Sequence, residues 1–330
     1  MPGQESGQAL RGFDWAEFID QVVAERGSLA LAALHLAERR NFEEDLGSVE
    51  RGLRRLRERG SKDGGVWGQR ALRCFGLPGA VGDRVRWMGQ YHTRFTDLPA
   101  SLCEELLRPW DRPPISESPA RIWLLLGHAS LALRRRDDPQ PLLDQAALLA
   151  SQAEPAAACE LALVESFAWA RRDPERSHAA LDRASALLEA PEPSESPISA
   201  HDHACLFARW IDQVAYPLNK PGGGEAKHLA ALALYQRIPG QGPLFAQCRR
   251  ENGLGWTHLQ LGQPERAREH ALASVRAAGD AGSLRMRAMA LNLLAACSDA
   301  ERATEAKRRA MAIAAELEDE ALLVRFGPRR

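Results

Sequence analysis

The phrase Ser-Glu-Ser-Pro occurs twice, at residues 116–119 and 194–197, with its prolines 78 residues apart. That interval is two periods of 39, and each copy precedes a stretch with apolar residues at helical spacing. Serine before proline reads as a helix start. The hydroxyl accepts from free first-turn amides, and proline at the first helical position has no amide to leave unpaired. Helix pairs recurring at a fixed interval can bury their apolar faces only against their neighbours, which restricts the chain to a stacked helical architecture.

Composition agrees with that restriction. Hydrophobic residues make up 45% of the 330 residues, enough for a sizeable core. They are mostly Ala and Leu, with only three Tyr, a mixture that favours helix over strand. The expected fold class is all-α: an N-terminal helical domain followed by an α-solenoid of about five helix pairs.

The repeats have a recognisable internal pattern. Trp123, Leu126, Gly127 and Ala146 fall at relative positions 4, 7, 8 and 27 of a unit of about 34 residues. Leu254, Gly255, Ala267 and Ala271 fall at positions 7, 8, 20 and 24 of a second copy, joined by the turn Leu261-Gly-Gln-Pro264-Glu-Arg-Ala267. A third copy runs through Val164, Pro174 and Ala184, and a fourth through Leu293 and Ala310. Small residues at positions 8 and 20 let paired helices approach closely, while large ones fill the space between them. On these residues the segment 119–323 resembles the tetratricopeptide family, with spacings nearer 39 than 34 and an irregular third pair. That third pair reads as a helix over 200–215, a loop over 216–224 and a second helix to Gln236.

Residues 1–110 do not fit the repeat. Apolar spacing predicts helices at about 14–25, 28–39, 48–59, 66–76, 80–95 and 99–108, the fifth marked by Val81, Val85, Met88, His92 and Phe95. The proline-rich stretch 111–118 then divides this domain from the solenoid at 119–330. Within it, residues 28–60 resemble a helix-turn-helix. Leu29, Ala33, Leu36, Val49, Leu53 and Leu56 would face inward, leaving Arg51, Arg54, Arg55 and Arg57 outward as a recognition helix presents them to DNA. Lys62 extends that basic surface, and Asp63-Gly-Gly65 is placed to start a winged hairpin. Against this, the turn around Asn41 to Asp45 is long and acidic, and Trp67, Ala71, Cys74 and Phe75 share one helical face. From Arg51 to Arg94 there are 11 basic side chains and three acids, although the whole chain carries a net charge of only −1. DNA binding through residues 28–94 is therefore the alternative expectation.

No residue constellation argues for an enzyme, a cofactor or a metal. The six cysteines lie 29 to 56 residues apart, without the close pairs of a zinc site or disulfide framework, and read as buried reduced thiols of a cytoplasmic protein. His201-Asp202-His203 places two imidazoles in different directions on a helix and reads as helix-start polarity. Gly222-Gly-Gly224 lacks the lysine and hydroxyl of a phosphate loop. The greasiest run, 122–126, is too short to span a bilayer, so no membrane association is expected.

The leading expectation is thus a non-catalytic scaffold for a protein or peptide partner. The tetratricopeptide resemblance implies that the first helix of each pair lines a binding groove. By register that surface includes Ser166 and Trp169, then Asp202, Arg209 and Asp212, then Arg249, Asn252 and Trp256. Arginine and asparagine donors suit a peptide carboxylate or backbone, and a tryptophan suits an aromatic anchor.

Overall fold

A computed structural model describes residues 13–38, 45–76, 79–112, 115–189 and 198–327. Among them are 17 α-helices, packed largely in sequence-adjacent pairs, and no strand. By their packing they divide into two compact units. Residues 1–89 and 104–124 contribute to one, residues 90–103 and 125–330 to the other. No described helix is long and apolar enough to cross a membrane.

In the first unit, α1 (Trp15–Arg26), α2 (Leu29–Glu38), α3 (Leu46–Arg57) and α4 (Gly65–Phe75) form a small bundle. Asp14 and Asp45 cap α1 and α3 by accepting from first-turn amides. The core is aromatic. Trp15 is fully buried, meets Phe13 and Phe18 edge to face, and donates from Nε1 to the Lys62 carbonyl. Gly64 and Gly68 lie against its ring so closely that a Cβ would come within 2.2 and 2.6 Å of it. Residues 65–75 are therefore helical rather than a hairpin, because that face has to cover Trp15. The acidic turn expected around Asn41 lies mainly outside the described residues.

Next, α5 (Gly79–Gly89) ends earlier than its apolar spacing predicts. Gly89 sits against the Trp123 backbone, where a Cβ would fall 2.3 Å from the carbonyl oxygen. The expected helix 80–95 is thus cut at Gly89, and His92 and Phe95 belong to a separate segment. Beyond it, α6 (Ala100–Leu107) matches the helix expected at 99–108.

The second unit is a helical-repeat arrangement. The pairs are α7 (Arg121–Arg135, of which residues 121–124 fall in the first unit) with α8 (Gln140–Leu149), α9 (Pro155–Trp169) with α10 (Pro174–Leu188), and α11 (Ala200–Leu218) with α12 (Glu225–Gln236). Then come α13 (Leu244–Gln260) with α14 (Pro264–Asp280) and α15 (Leu284–Ala296) with α16 (Ala300–Glu316), closed by α17 (Glu320–Phe326). These are the five pairs expected, but in the third the first helix runs on through Tyr216 and Pro217 to Leu218, into the loop expected from 216. Close packing at the small positions is visible at Gly255, where a Cβ would approach Leu293 to 2.5 Å and the Ala267 carbonyl to 3.2 Å. Side chains also link successive pairs: Trp210 Nε1 donates to the Leu181 carbonyl and Gln213 to that of Leu163. The terminal α17 buries Leu322 and Phe326 against the apolar face of α15 and α16.

The helix-start reading fares unevenly. Ser118 does not cap α7; its hydroxyl donates to the Ile115 carbonyl, and the helix begins at Arg121. The second copy of the phrase, at 194–197, lies outside the described residues. Asp173, Ser199, Ser283, Asp299 and Asp319 are the side chains that cap the repeat helices.

Candidate functional site: arginines of the repeat around a strap of the same chain

The first helices of successive pairs lie beside one another, and ion pairs tie them together. Arg209 of α11 pairs with Glu160 of α9, and both are almost completely buried. Arg249 of α13 pairs with Asp212 of α11. A third pair ties α15 to the terminal helix instead: Arg285 meets Asp319, the N-cap of α17, at 2.6 Å. Charges held this deep persist because each has an opposite charge in contact.

These three arginines converge on one aromatic ring. Residues 90–98 form a strap, turned at Arg94–Asp97 into a single 3-10 turn. Its Tyr91 has the guanidinium carbons of Arg209, Arg249 and Arg285 at 4.4, 5.4 and 5.3 Å from the ring centroid. Arg285 Nε donates to the Tyr91 hydroxyl at 3.1 Å, and Phe245 meets the ring edge to face. Each cation over the ring contributes about 0.5–2 kcal/mol, depending on how dry the site is. Burial raises the cost of ionising Tyr91, but the fields of Arg285, Arg249 and Arg209 outweigh it and bring the hydroxyl below its ordinary pKa. Burial likewise works against charge on Arg249, yet Asp212 and Tyr91 hold its pKa above the usual value.

The rest of the strap is anchored at both ends. Asp202 Oδ1 accepts from Gln90 at 3.1 Å and contacts His92 Nε2 at 2.9 Å. Asp97 Oδ1 accepts from the Ser283 hydroxyl and from the Arg285 amide, so the strap helps to cap α15. Burial still raises the Asp97 pKa, against the hydrogen bonds from Arg285 and Ser283 and the charge of Arg94. Arg134 of α7, also fully buried, donates to the carbonyls of Leu98 and Leu317.

The groove residues expected from the register separate into two groups. Asp202, Arg209, Asp212 and Arg249 gather around the strap. Ser166 and Trp169 instead face the partner helix of their own pair: Ser166 bonds to Ser177, and Arg176 stacks over Trp169 at 4.1 Å. The small hydroxyl of Ser166 is completely buried there, which fixes α9 with that face toward α10. Asn252 and Trp256 are half-buried on α13, and the Asn252 Nδ2 has no hydrogen-bond partner among the described residues. Arg285 and the strap itself were missed by sequence reasoning. Position on the first helix of its pair, as for Arg209 and Arg249, was the signal for Arg285.

A second group of side chains assembles at the edge of the strap. His92, His201 and Cys205 offer ligand atoms all within 4.8 Å of one another. His203 is elsewhere, bonded to the Leu188 carbonyl and stacked on Phe207. Burial pushes the Cys103 and Cys248 thiols up to about 11 and those of Cys159 and Cys205 up to about 12, the reverse of an activated nucleophile.

In the first unit α3 exposes Arg51, Arg54, Arg55 and Arg57 and buries Val49, Gly52, Leu53 and Leu56. Arg54 pairs with Glu50 at 2.6 Å, Arg57 with Asp20 at 2.7 Å, and Arg51 approaches Asp45 at 4.0 Å. Lys62 is exposed in the turn before α4. No family model matches the chain, and comparison with curated proteins and with solved structures finds no match.

Proposed function

We propose that the protein is a non-catalytic, tetratricopeptide-like scaffold that binds a peptide segment along the first helices of its repeats, and that the strap is the resident occupant of that surface. The observation that carries this reading is Tyr91 seated among Arg209, Arg249 and Arg285. Three guanidinium groups around one ring suit an aromatic side chain with an acceptor at its tip. The hydrogen bonds to Asp97 and to the Leu98 carbonyl show how acidic and backbone acceptors are held beside it. A partner segment of similar chemistry, an aromatic residue followed by an acid, would compete with the strap. The strap is covalently attached, so its effective concentration is high and a competitor has to bind tightly or meet a strap already loosened.

The test uses the full chain and a labelled peptide copying residues 88–100, MGQYHTRFTDLPA. Tyr91→Ala and Tyr91→Leu variants that retain wild-type helicity should bind this peptide, and the wild type should bind it at least tenfold more weakly. Adding Arg249→Lys, which keeps the charge opposite Asp212 but loses the planar fork, should weaken capture about tenfold. Absence of capture by either well-folded Tyr91 variant would remove the reading.

The exposed arginine face of α3 favours a second reading, a DNA-binding regulator whose repeat acts as sensor. Four outward guanidinium groups on one short helix after a preceding helix suit a phosphate backbone and guanine edges. Full-length protein titrated with duplex DNA at rising salt checks it. Binding that falls steeply with salt supports it, and no binding at low salt removes it.

A further inference from the structure

We infer that His92, His201 and Cys205 form a binding site for a single transition-metal ion of borderline softness, Zn2+ foremost, clipping the strap to α11. His201 and Cys205 are four residues apart on α11, one helical turn, so both face the same way. His92 comes from the strap; the centroids of its ring and that of His201 are 5.9 Å apart. A tetrahedral zinc with bonds of about 2.0 Å to nitrogen and 2.3 Å to sulfur separates its ligands by roughly 3.5 Å. Ligand atoms already within 4.8 Å of one another reach that spacing by side-chain rotation.

An independent observation points to a ligand. The His92 side chain is only 3% exposed, its Nε2 is engaged by Asp202, and its Nδ1 is buried with no hydrogen-bond partner among the described residues. An orphaned buried ring nitrogen costs free energy, and a metal ion satisfies it. Carboxylate, imidazole and metal in a row is the arrangement that orients a metal-binding histidine, with Asp202 fixing the tautomer that leaves Nδ1 free to coordinate. Ser199 donates to the other Asp202 oxygen at 2.6 Å and holds the carboxylate in place. Two imidazoles and a thiolate select zinc over hard cations such as Mg2+ or Ca2+. A cleft of about 220 Å³ borders His92 and His201, and the exposed His201 leaves one coordination position open to water. On binding, the Cys205 sulfur gives its proton to solvent as the metal–sulfur bond forms.

The test uses the metal-free, reduced full-length protein and Co2+ as a spectroscopic probe. One equivalent should produce thiolate-to-cobalt charge-transfer absorption, which Zn2+ then displaces. Cys205→Ser, nearly equal in volume, should abolish that absorption, and His92→Ala should weaken Zn2+ binding strongly. Asp202→Asn should weaken Zn2+ binding about 10- to 100-fold without removing the band, as loss of a ligand-orienting group does. The exposed His178→Ala should change nothing. Zn2+ should also raise the melting temperature of wild type and not of Cys205→Ser. No absorption in wild type at one equivalent, or absorption that survives Cys205→Ser, overturns the site. Neither result bears on capture of the strap peptide, which is measured without metal.

Discussion

The arginines of α3 and those of the repeat helices follow the same sequence rule and end in opposite environments. Arg51, Arg54 and Arg57 have more than half of their side-chain surface in water, with acids at 2.6 to 4.0 Å. Arg209 and Arg249 are less than one-tenth exposed, and each holds a carboxylate and the Tyr91 ring together. Both sets sit on helices and alternate with apolar residues. The difference lies in what packs above them. Nothing among the described residues of the first unit packs over the exposed face of α3, while Tyr91 of the strap lies against Arg209 of α11 and Arg249 of α13. A helical arginine is therefore ambiguous until its cover is known.

The largest effect expected of this contrast is at Arg209. Arg209→Ala leaves Glu160 as an unpaired carboxylate with no exposed surface, a loss of about 3–5 kcal/mol of stability. The double change Arg209→Met with Glu160→Leu removes both charges and should recover most of it. Urea denaturation of the three proteins measures the difference. A single variant as stable as wild type would mean that the pair is in water and that the repeat arginines resemble those of α3.

The architecture was largely legible and the site only partly so. Leu254, Gly255, Ala267 and Ala271 reveal a helix pair because close packing demands small residues at fixed positions, and that demand is local. The end of α5 was not legible. His92 and Phe95 continue the apolar steps of Val85 and Met88, since a strap buried against helices needs apolar residues as a helix does. Only the contact of Gly89 with Trp123 shows the break. The histidine–cysteine cluster was hidden for a different reason: His92 is far in sequence from His201 and Cys205, and the adjacent His201 and His203 diverge. Arg209 and Arg249 were legible as neighbours because register along a repeat places equivalent positions on one face, and both meet the Tyr91 ring. Ser166 and Trp169 belong to the second pair, where that register instead points them at α10.

A smaller effect is expected at the ring itself. Tyr91→Phe keeps the stacking with all three arginines and loses the hydroxyl that Arg285 meets, about 1–2 kcal/mol at neutral pH. The difference should depend on pH in a defined direction. The folded-state pKa of Tyr91 lies below its unfolded value near 10, so between the two the unfolded chain binds more protons. Wild type should gain stability over Tyr91→Phe as pH rises through the folded pKa, reach the full gain above 10, and lose it as pH falls back. Parallel curves for the two proteins from pH 7 to 10 would show that the arginine fields do not reach the hydroxyl.

The smallest effects belong to α3, and they complete the comparison. Arg54→Ala and Arg57→Ala each break one exposed ion pair, which water and salt already screen, so each should change stability by less than about 0.5 kcal/mol. Their influence on DNA affinity, if α3 is an interface, should be far larger than their influence on folding. Each arginine that contacts a phosphate should lower the slope of log affinity against log salt by about one. Stability and salt slope measured on the same variants therefore separate two meanings of an exposed arginine. A changed slope with unchanged stability identifies a surface kept for binding. An unchanged slope with unchanged stability identifies a solvated face and removes the DNA-binding proposal for α3.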